Sequence, residues 1–300
     1  MATFKEKRAM IDGSDTLDLG SLDVHRMGLG TMQLTGPGVW GPPRDHDGAV
    51  AVLRRAVQLG VDLLDTADSY GPNVAEELIF EALHPYSPTI KIATKAGFTR
   101  PGPGVWTERG DPDYLRSQCE GSLQRLGVDQ IDLFQLHRVD NKVPADEQFG
   151  LLKALRDEGK VREVGLSEVS VAQIEAALEI VPIASVQNNY NIANRAADDV
   201  VDFCEQHGIA FIPYFPLANG KFSESGSPLD EIAGQLGVTA SQVCLAWLLR
   251  RSPVMLPIPG TSSLAHLEEN CAASAVELSE SQYQELTDAR KSLRRWVMGA

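Results

Sequence analysis

The sequence lacks an excess of positive charge. Its 300 residues contain 27 Lys and Arg against 41 Asp and Glu, which gives a formal net charge of −14. Nucleic acids and anionic membrane surfaces bind basic patches, so we expect neither as a main partner. No uninterrupted apolar run approaches the roughly 18 residues of a membrane-spanning helix. Residues 1–8 contain no apolar stretch typical of a signal peptide. We therefore expect a cytoplasmic protein without a membrane segment.

Signatures of metal binding and of the common nucleotide folds are also missing. Four cysteines occur, at Cys119, Cys204, Cys244 and Cys271. Their spacing fits neither CxxC nor a zinc finger, which predicts buried, reduced thiols and no metal site. There is no Walker A, HExxH or GxSxG sequence. Residues 36–41 match GxGxxG, but Pro42 and Pro43 follow directly, so no helix begins there and a Rossmann fingerprint is excluded.

The sequence does contain a repeated unit, in which a short apolar run precedes a longer segment of helical period. Eight such runs are predicted strands: Met27–Leu29, Val61–Leu64, Ile90–Thr94, Ile131–Leu136, Val161–Leu166, Ala184–Gln187, Ala210–Pro213 and Met255–Ile258. Capping boxes at Ser170, Thr239 and Ser279 predict helix starts. Strands that alternate with helices pair in parallel, and eight units fit a closed α/β barrel better than an open sheet. We predict one (β/α)8 TIM-barrel domain over residues 1–300, preceded by a β-hairpin over Leu17–Val24.

Four proton-handling side chains follow three of these strands. Asp65 and Tyr70 follow the second strand, Lys95 the third and His137 the fourth. In a (β/α)8 barrel the chemistry is performed at the carboxyl ends of the strands. A single tyrosine, lysine, aspartate or histidine more often has a structural role than a catalytic one. Four such residues at the carboxyl ends of successive predicted strands, however, predict one active site.

Two loops rich in glycine and proline lie on the same end of the predicted barrel. Each contains the sequence Pro-Gly-Val-Trp, which supplies Trp40 in one loop and Trp106 in the other. Aromatic side chains on such loops are typical of pocket walls, and ordinary surface turns are the alternative.

Lys95 has two alternative roles. As a neutral amine it forms a Schiff base, the chemistry of barrel lyases. Asp65 nearby favours the ammonium form instead, and a charged lysine beside Tyr70 lowers the pKa of the phenol toward working pH. Tyr70 then acts as a general acid, while His137 orients a carbonyl oxygen toward it.

The Asp-Thr-Ala-x-x-Tyr-Gly run, Ala-Thr-Lys95 and Leu-His137 resemble the motifs of the aldo-keto reductase superfamily, and the resemblance extends over nearly the whole chain. It implies NAD(P)H-dependent reduction of a small aldehyde or ketone. Tyr70 would protonate the carbonyl oxygen, Lys95 would tune Tyr70, Asp65 would hold Lys95, and His137 would orient the substrate. Trp40, Tyr70, Trp106 and His137 are the expected substrate contacts.

The resemblance also implies a cofactor site across the barrel mouth, without a Rossmann fold. Asp65 belongs to it as well as to the tetrad. The other implied contacts are Gly30, Thr31, Met32, Ser167, Gln187, Tyr214, Phe215, Pro216, Leu217, Gly220, Lys221, Gly260, Thr261, Ser262, Ser263, His266, Glu269 and Asn270. Among these, Ser167 and Gln187 correspond to the residues that hold the nicotinamide carboxamide, and Tyr214 to the residue that stacks on the ring.

The chain departs from the family pattern at three positions. Glu168 stands where many members have asparagine beside the carboxamide. Gly260 and His266 stand where many NADPH-specific members have Lys and Arg, so two fixed cations for the 2′-phosphate are missing. Ser262 and Ser263 offer hydroxyls in their place. We expect NADPH as the cofactor, with NADH as the alternative.

Two other functions are compatible with the sequence. Some relatives of this fold bind NADPH, turn over slowly and act as redox-sensing or accessory subunits. A barrel lyase that uses Lys95 without a cofactor is the third hypothesis, and trapping of a substrate on Lys95 by borohydride would support it.

Overall fold

A curled sheet of seven parallel strands forms the centre of the fold. The structure, a computed structural model, describes residues 10–11, 15–218, 227–289 and 293. Its strands are β1 (Thr16–Leu19), β2 (Leu22–His25), β3 (Leu29–Gly30), β4 (Leu63–Asp65), β5 (Lys91–Ala96), β6 (Phe98–Gly102), β7 (Val105–Glu108), β8 (Ile131–Leu136), β9 (Val161–Ser167), β10 (Ser185–Asn189) and β11 (Ala210–Tyr214). The parallel sheet has the order β11-β10-β9-β8-β5-β4-β3, and β1-β2 and β6-β7 are antiparallel hairpins.

The helices connect successive parallel strands or follow the last one. They are α1 (His46–Gln58), α2 (Val74–Leu83), α3 (Pro112–Leu126), α4 (Ala145–Asp157), α5 (Val171–Leu178), α6 (Asp198–His207), α7 (Pro228–Leu236), α8 (Ala240–Arg251), α9 (Leu264–Ala272) and α10 (Glu280–Asp288). Capping boxes are present at Ser170, Thr239 and Ser279, as predicted, and each satisfies backbone donors at a helix start. All four cysteines are buried and unpaired, which confirms the prediction of buried thiols.

The eighth predicted strand, Met255–Ile258, is reduced to one bridge between Phe211 and Met255. The sequence places prolines at 253, 257 and 259, and proline has no N–H to give to a ladder. The segment nevertheless closes the barrel. Leu256 N donates to Phe211 O (2.8 Å) on one side, and Gly28 N donates to Pro257 O (2.9 Å) on the other. The fold is therefore the predicted (β/α)8 barrel with an N-terminal β-hairpin.

The β1-β2 hairpin closes one end of the barrel. Leu19, Leu22 and Val24 are buried and pack against inward side chains that include Leu63 and Leu133. The hairpin thus covers the amino-terminal ends of the strands, and the cavity lined by polar residues opens at their carboxyl ends.

Strand alternation explains why those polar residues share one interior. In a strand every second side chain points to the same face. Leu63 and Asp65 therefore point inward on β4, as Ala93 and Lys95 do on β5. On β8 the same face carries Leu133, Gln135 and then His137. On each strand the apolar residue lies deep in the barrel and the polar one lies nearer the open end.

No single helix in the described residues is long and apolar enough to cross a membrane, although α7 and α8, bent by 94°, pass that test jointly by length and composition. Within the same described residues, no group of three His, Cys, Asp or Glu side chains is arranged to hold a metal ion.

Candidate active site

Lys95 is the centre of the site, and its ammonium is fully buried. Nζ donates to Asp65 Oδ1 (2.6 Å), Thr66 O (2.8 Å) and the Tyr70 hydroxyl (3.3 Å). The three N–H groups of an ammonium are thus each matched by an acceptor. Asp65 Oδ2 accepts a further bond from Gln187 Nε2 (2.8 Å). Lys95 therefore belongs to a satisfied buried network.

Backbone pairing beyond the end of β4 brings Tyr70 to Lys95. Thr66 N donates to Ala93 O (2.8 Å) and Asp68 N donates to Lys95 O (3.1 Å), so the chain continues along β5 after the regular strand ends. A turn follows, in which Tyr70 N donates to Ala67 O (3.2 Å). The five-residue spacing between Asp65 and Tyr70 is what this extension and turn require.

The pKa of Lys95 is raised, which keeps the amine protonated. Burial alone would lower it, but the Asp65 carboxylate and the Tyr70 hydroxyl outweigh that effect. A Schiff base requires a neutral amine with an available lone pair. The raised pKa and the three hydrogen bonds both disfavour the lyase hypothesis.

The pKa of Tyr70 is also raised above its usual value, so the expected net lowering toward working pH is wrong. Burial has the largest effect, and the nearby charge of Lys95 acts in the predicted direction without overcoming it. The phenol is consequently protonated at neutral pH. That is the form in which it can give a proton to a ligand.

His137 is neutral at physiological pH. Burial lowers the pKa of its imidazole well below 6.5, and the charges of Lys95, Arg138 and Arg100 lower it further. Its ring lies with its centre 6.0 Å from that of Tyr70. Nδ1 lies 3.4 Å from Ser69 Oγ. A neutral imidazole offers one N–H, which can be directed at a carbonyl oxygen.

A cavity of about 820 Å³ opens over this network. The predicted site residues that line it are Gly30, Met32, Asp65, Tyr70, Trp106, His137, Ser167, Gln187, Tyr214, Phe215, Pro216, Leu217, Gly260, Thr261, His266, Glu269 and Asn270. These residues come from both halves of the chain, and the barrel brings them together around one cavity. Gly220 and Lys221 lie outside the described residues.

Other predicted residues do not line the cavity. Thr31 is buried, and its hydroxyl donates to Asp65 O (3.0 Å). The hydroxyl of Ser263 caps α9, accepting a bond from His266 N (3.4 Å), and Ser262 is exposed. Trp40 does not line the cavity, and its backbone forms a bridge with Gly71. Lys95 does not line it either, but it contacts Asp65 and Tyr70, which do.

Arg100 connects three segments of the chain beside the cavity. Its fork donates to Ser69 O (2.6 Å), Gly38 O (2.9 Å) and Val105 O (3.0 Å). Its Cζ lies 3.6 Å from the ring centre of Trp106, a cation–π contact. One side chain thus ties the loop before Tyr70, the Trp40 loop and the β6-β7 hairpin to each other. Of the two tryptophans predicted to line a pocket, Trp106 lines the cavity and Trp40 does not.

Sequence reasoning missed several residues around the cavity. Phe98 and Arg138 line it, and Gln135 lies beneath it, with Nε2 3.3 Å from Asp65 Oδ2. The period of two from Leu133 to His137 would have found Gln135. Arg138 directly follows the predicted His137, and Phe98 lies on a hairpin that was interpreted only as a loop. Thr239 and Ser241, at the start of α8, also line the cavity; the capping box at Thr239 predicts a helix start there but does not indicate a cavity.

Asp68 is a buried carboxyl that the network above does not use. It is 2% exposed, and within the described residues neither of its oxygens has a hydrogen-bond partner. Burial, with the nearby charge of Glu76, raises the pKa of Asp68 to about 8. The protonated form is therefore the main one at neutral pH.

We expect Asp68→Asn to remove a pH dependence of stability. Between an unfolded pKa of 3.8 and a folded pKa of about 8, only the folded protein keeps the proton. The free energy of unfolding then falls by about 1.4 kcal/mol per pH unit as the pH rises through this window. Denaturant titrations at pH 5, 6 and 7 measure this slope in both proteins. Asp113→Asn, which removes an exposed carboxyl, is the control. Equal slopes in wild type and Asp68→Asn would contradict the assignment.

The fold and site together define a class of protein: a (β/α)8 barrel with a buried lysine, aspartate and tyrosine and a neutral histidine at its open end. The family model described as the Aldo/keto reductase family matches residues 26–291. The chain belongs to this family and is an oxidoreductase by that membership.

Three relatives give the scale of the similarity. The chain is 48% identical over 277 residues to an uncharacterized oxidoreductase of Schizosaccharomyces pombe, with 92% of this chain and 90% of the relative covered. It is 45% identical over 274 residues to pyridoxine 4-dehydrogenase of Escherichia coli, with 89% and 95% covered. The crystal structure of an aldo-keto reductase from Klebsiella pneumoniae in complex with NADPH matches with a TM-score of 0.79, 26% identity and coverage of 92% and 95%.

Proposed function

We propose that the protein reduces an aldehyde or ketone to an alcohol with NADPH, and that Tyr70 is the general acid. The observation that carries the proposal is the contact of a protonated Lys95 with both Asp65 and Tyr70 at the floor of the cavity. When bound, NADPH supplies the hydride. The chain's own residues place the carbonyl, give the proton and exclude water.

The proton comes from the Tyr70 hydroxyl. Its raised pKa keeps it protonated until the carbonyl oxygen becomes basic, and the Lys95 ammonium stabilises the phenolate that remains. Neutral His137 donates an N–H to the same oxygen and so holds it beside the phenol. Asp65 keeps Lys95 in place and charged.

The polar groups of Ser167 and Gln187 complement a primary carboxamide, which presents one acceptor oxygen and one NH2 group. Ser167 Oγ accepts a bond from Arg138 (3.0 Å), so its O–H is available to donate. Gln187 gives Nε2 to Asp65, which leaves its carbonyl oxygen as the group to accept. The Glu168 carboxylate accepts a bond from Asn189 N (2.6 Å), so we do not assign it the role of the asparagine of other members.

The far end of the cavity suits the adenosine phosphates. Gly260, Thr261 and His266 line it where α9 begins, and a helix N-terminus favours negative charge. A side chain at Gly30 would lie 2.8 Å from Ile258 O, so only glycine permits this close approach of β3 to the same segment. NADPH is the proposed cofactor, and NADH is the alternative because fixed cations are absent from positions 260 and 266.

For the substrate we propose an aromatic aldehyde of the pyridoxal type. The walls near His137 are aromatic: the ring centres of Phe98 and Trp106 lie 4.8 Å and 6.3 Å from that of His137. The relative from Escherichia coli is a pyridoxine 4-dehydrogenase, whose name specifies oxidation at one ring carbinol. Reduction of pyridoxal is that reaction in reverse.

Titration of the intrinsic fluorescence with NADPH and with NADH, followed by assays with pyridoxal, benzaldehyde and an aliphatic aldehyde, tests the proposal. We expect NADPH to bind more tightly than NADH, and pyridoxal and benzaldehyde to be reduced faster than the aliphatic aldehyde. If NADH bound more tightly, NADH would replace NADPH as the proposed cofactor. Binding of neither would overturn the proposal.

A further inference from the structure

Arg138 lines the cavity and directly follows His137 in the sequence. Its Cζ lies 5.4 Å from the ring centre of Phe98 and 5.9 Å from that of Tyr214. The guanidinium therefore lies within cation–π distance of two rings, beside the position where a carbonyl substrate would meet His137.

The hydrogen bonds of Arg138 to its neighbours His137 and Ser167 both involve one nitrogen of its guanidinium, Nη1. Nη1 donates to His137 O (2.6 Å) and to Ser167 Oγ (3.0 Å), and these bonds fix the guanidinium in place. The Tyr214 hydroxyl is a further hydrogen-bond neighbour of the guanidinium, and within the described residues Nε and Nη2 donate to no backbone carbonyl and no carboxylate. These two nitrogens carry three of the five N–H groups of the fork.

Arg138 also lacks a counter-charge. No carboxylate of the described part of the chain lies within the 4.0 Å of an ion pair with its guanidinium. Other partly buried arginines are paired: Arg125 Nε lies 2.5 Å from Glu76 Oε2, and Arg55 Nη2 lies 2.8 Å from Glu268 Oε1. A guanidinium that is removed from bulk water without an anion loses hydration that only an anionic partner restores well.

Arg100, the other arginine beside His137, differs in this respect. All three nitrogens of its fork donate to backbone carbonyls, so it has a structural partner at every position. Arg138 is fixed through Nη1, and its other two nitrogens donate to no backbone carbonyl within the described residues. The difference indicates that Arg100 holds segments of the wall together and that Arg138 is available to bind a ligand.

We propose that Arg138 is a specificity-determining residue that binds an anionic oxygen on the ring of an aromatic aldehyde substrate, either a phenolate or a carboxylate. The proposal rests on the proposed reductase function and deepens it. Phe98 provides a flat surface for the substrate ring, and the available N–H groups of Arg138 bind the anion while His137 and Tyr70 meet the carbonyl. Pyridoxal fits this class, because its ring carries an ionisable hydroxyl beside the aldehyde.

Paired substrates test the assignment in steady-state kinetics. One pair is 3-carboxybenzaldehyde and its methyl ester; the other is salicylaldehyde, above the pKa of its phenol, and 2-methoxybenzaldehyde. In the wild type we expect kcat/KM to favour the anionic member of at least one pair by about 10–100-fold, since hydrogen bonds to charged groups are the strong ones. The pair that shows the preference identifies carboxylate or phenolate.

Variants assign the preference to Arg138. Arg138→Gln should abolish the preference, by lowering kcat/KM for the anionic members about 10–100-fold more than for the neutral members, and Arg138→Lys should keep part of the preference because the charge remains. Arg156→Gln, which removes an arginine outside the cavity, is the matched control and should change neither. The proposal is overturned if the wild type shows no preference, if Arg138→Gln keeps it, or if that variant slows both members equally.

Binding separates this proposal from the proposed function. In a Tyr70→Phe background with NADPH present, calorimetry measures the affinity of each aldehyde without turnover. If the anionic member binds more tightly than the neutral member, and Arg138→Gln abolishes that difference, the role of Arg138 is supported even if the wild-type protein reduces no carbonyl. Equal affinities in all proteins would overturn that role even if reduction were fast.

Discussion

Tyr70→Phe is expected to lower kcat for aldehyde reduction by about 10²–10⁴-fold, the usual contribution of a general acid. The substitution removes one oxygen, which donates the proton and contacts Lys95 Nζ at 3.3 Å. The dissociation constant of NADPH should stay within about twofold, because none of the groups proposed to hold the carboxamide changes. Stopped-flow turnover and fluorescence titration measure the two quantities.

Tyr86→Phe is the matched control for this experiment. The Tyr86 hydroxyl donates to Leu126 O (2.7 Å), and the residue does not line the cavity. Its loss should cost stability of about 1 kcal/mol without changing turnover. If the wild type bound NADPH but reduced carbonyls no faster than Tyr70→Phe does, the accessory or redox-sensing function would replace the reductase.

Lys95→Met is expected to lower the free energy of unfolding at neutral pH by roughly 3–5 kcal/mol, besides removing activity. The substitution leaves the Asp65 carboxylate, which is 1% exposed, without its cation. Only side-chain amides such as that of Gln187 would remain as partners. Chemical denaturation followed by tryptophan fluorescence measures the loss.

A second substitution separates stability from chemistry. Adding Asp65→Asn to Lys95→Met removes the unpaired charge, so most of the lost stability should return while turnover stays low. Lys91→Met on the same strand is the control, because Lys91 Nζ donates to Pro88 O and Thr89 O at the surface, and it should cost less than about 1 kcal/mol. Equal losses for Lys91→Met and Lys95→Met, or activity in the double variant, would contradict the role given to this ion pair.

The barrel could be predicted from the sequence because its signals are local. Apolar runs, capping boxes and glycines mark where strands and helices begin and end, and alternation of strands with helices implies the topology. The last strand was the exception. Met255–Ile258 has a strand's apolar pattern, but the prolines around it limit pairing to isolated bonds. A hydrophobic pattern shows which face is buried and does not show how many ladder bonds form.

The residues of the candidate site could be predicted where an ionisable side chain directly follows a predicted strand. Asp65, Lys95 and His137 each follow an apolar run at the same distance, so the fold necessarily brings them together. The electrostatics were less accessible from sequence. Burial of the phenol raises the pKa of Tyr70, and the nearby charge of Lys95 lowers it. Burial has the larger effect, so the net shift is upward. Only three-dimensional packing determines that balance.

Arg100 and Arg138 illustrate the same limit. Both are arginines beside predicted site elements, and nothing in the sequence distinguishes them. In the structure the guanidinium of Arg100 donates to three carbonyls from separate segments, whereas Nε and Nη2 of Arg138 donate to no carbonyl and no carboxylate within the described residues. Long-range backbone contacts decide which of them is structural.

Transfer of deuterium tests the central claim most directly. The protein is incubated with pyridoxal and NADPH that carries deuterium at the transferable position of the nicotinamide, and the alcohol is analysed by mass spectrometry. The proposed mechanism predicts one deuterium on the new carbinol carbon, formed by wild type and, at most, in traces by Tyr70→Phe. Alcohol without deuterium would exclude hydride transfer from the cofactor. No alcohol from pyridoxal or from any aldehyde of the panel would contradict the reductase function itself.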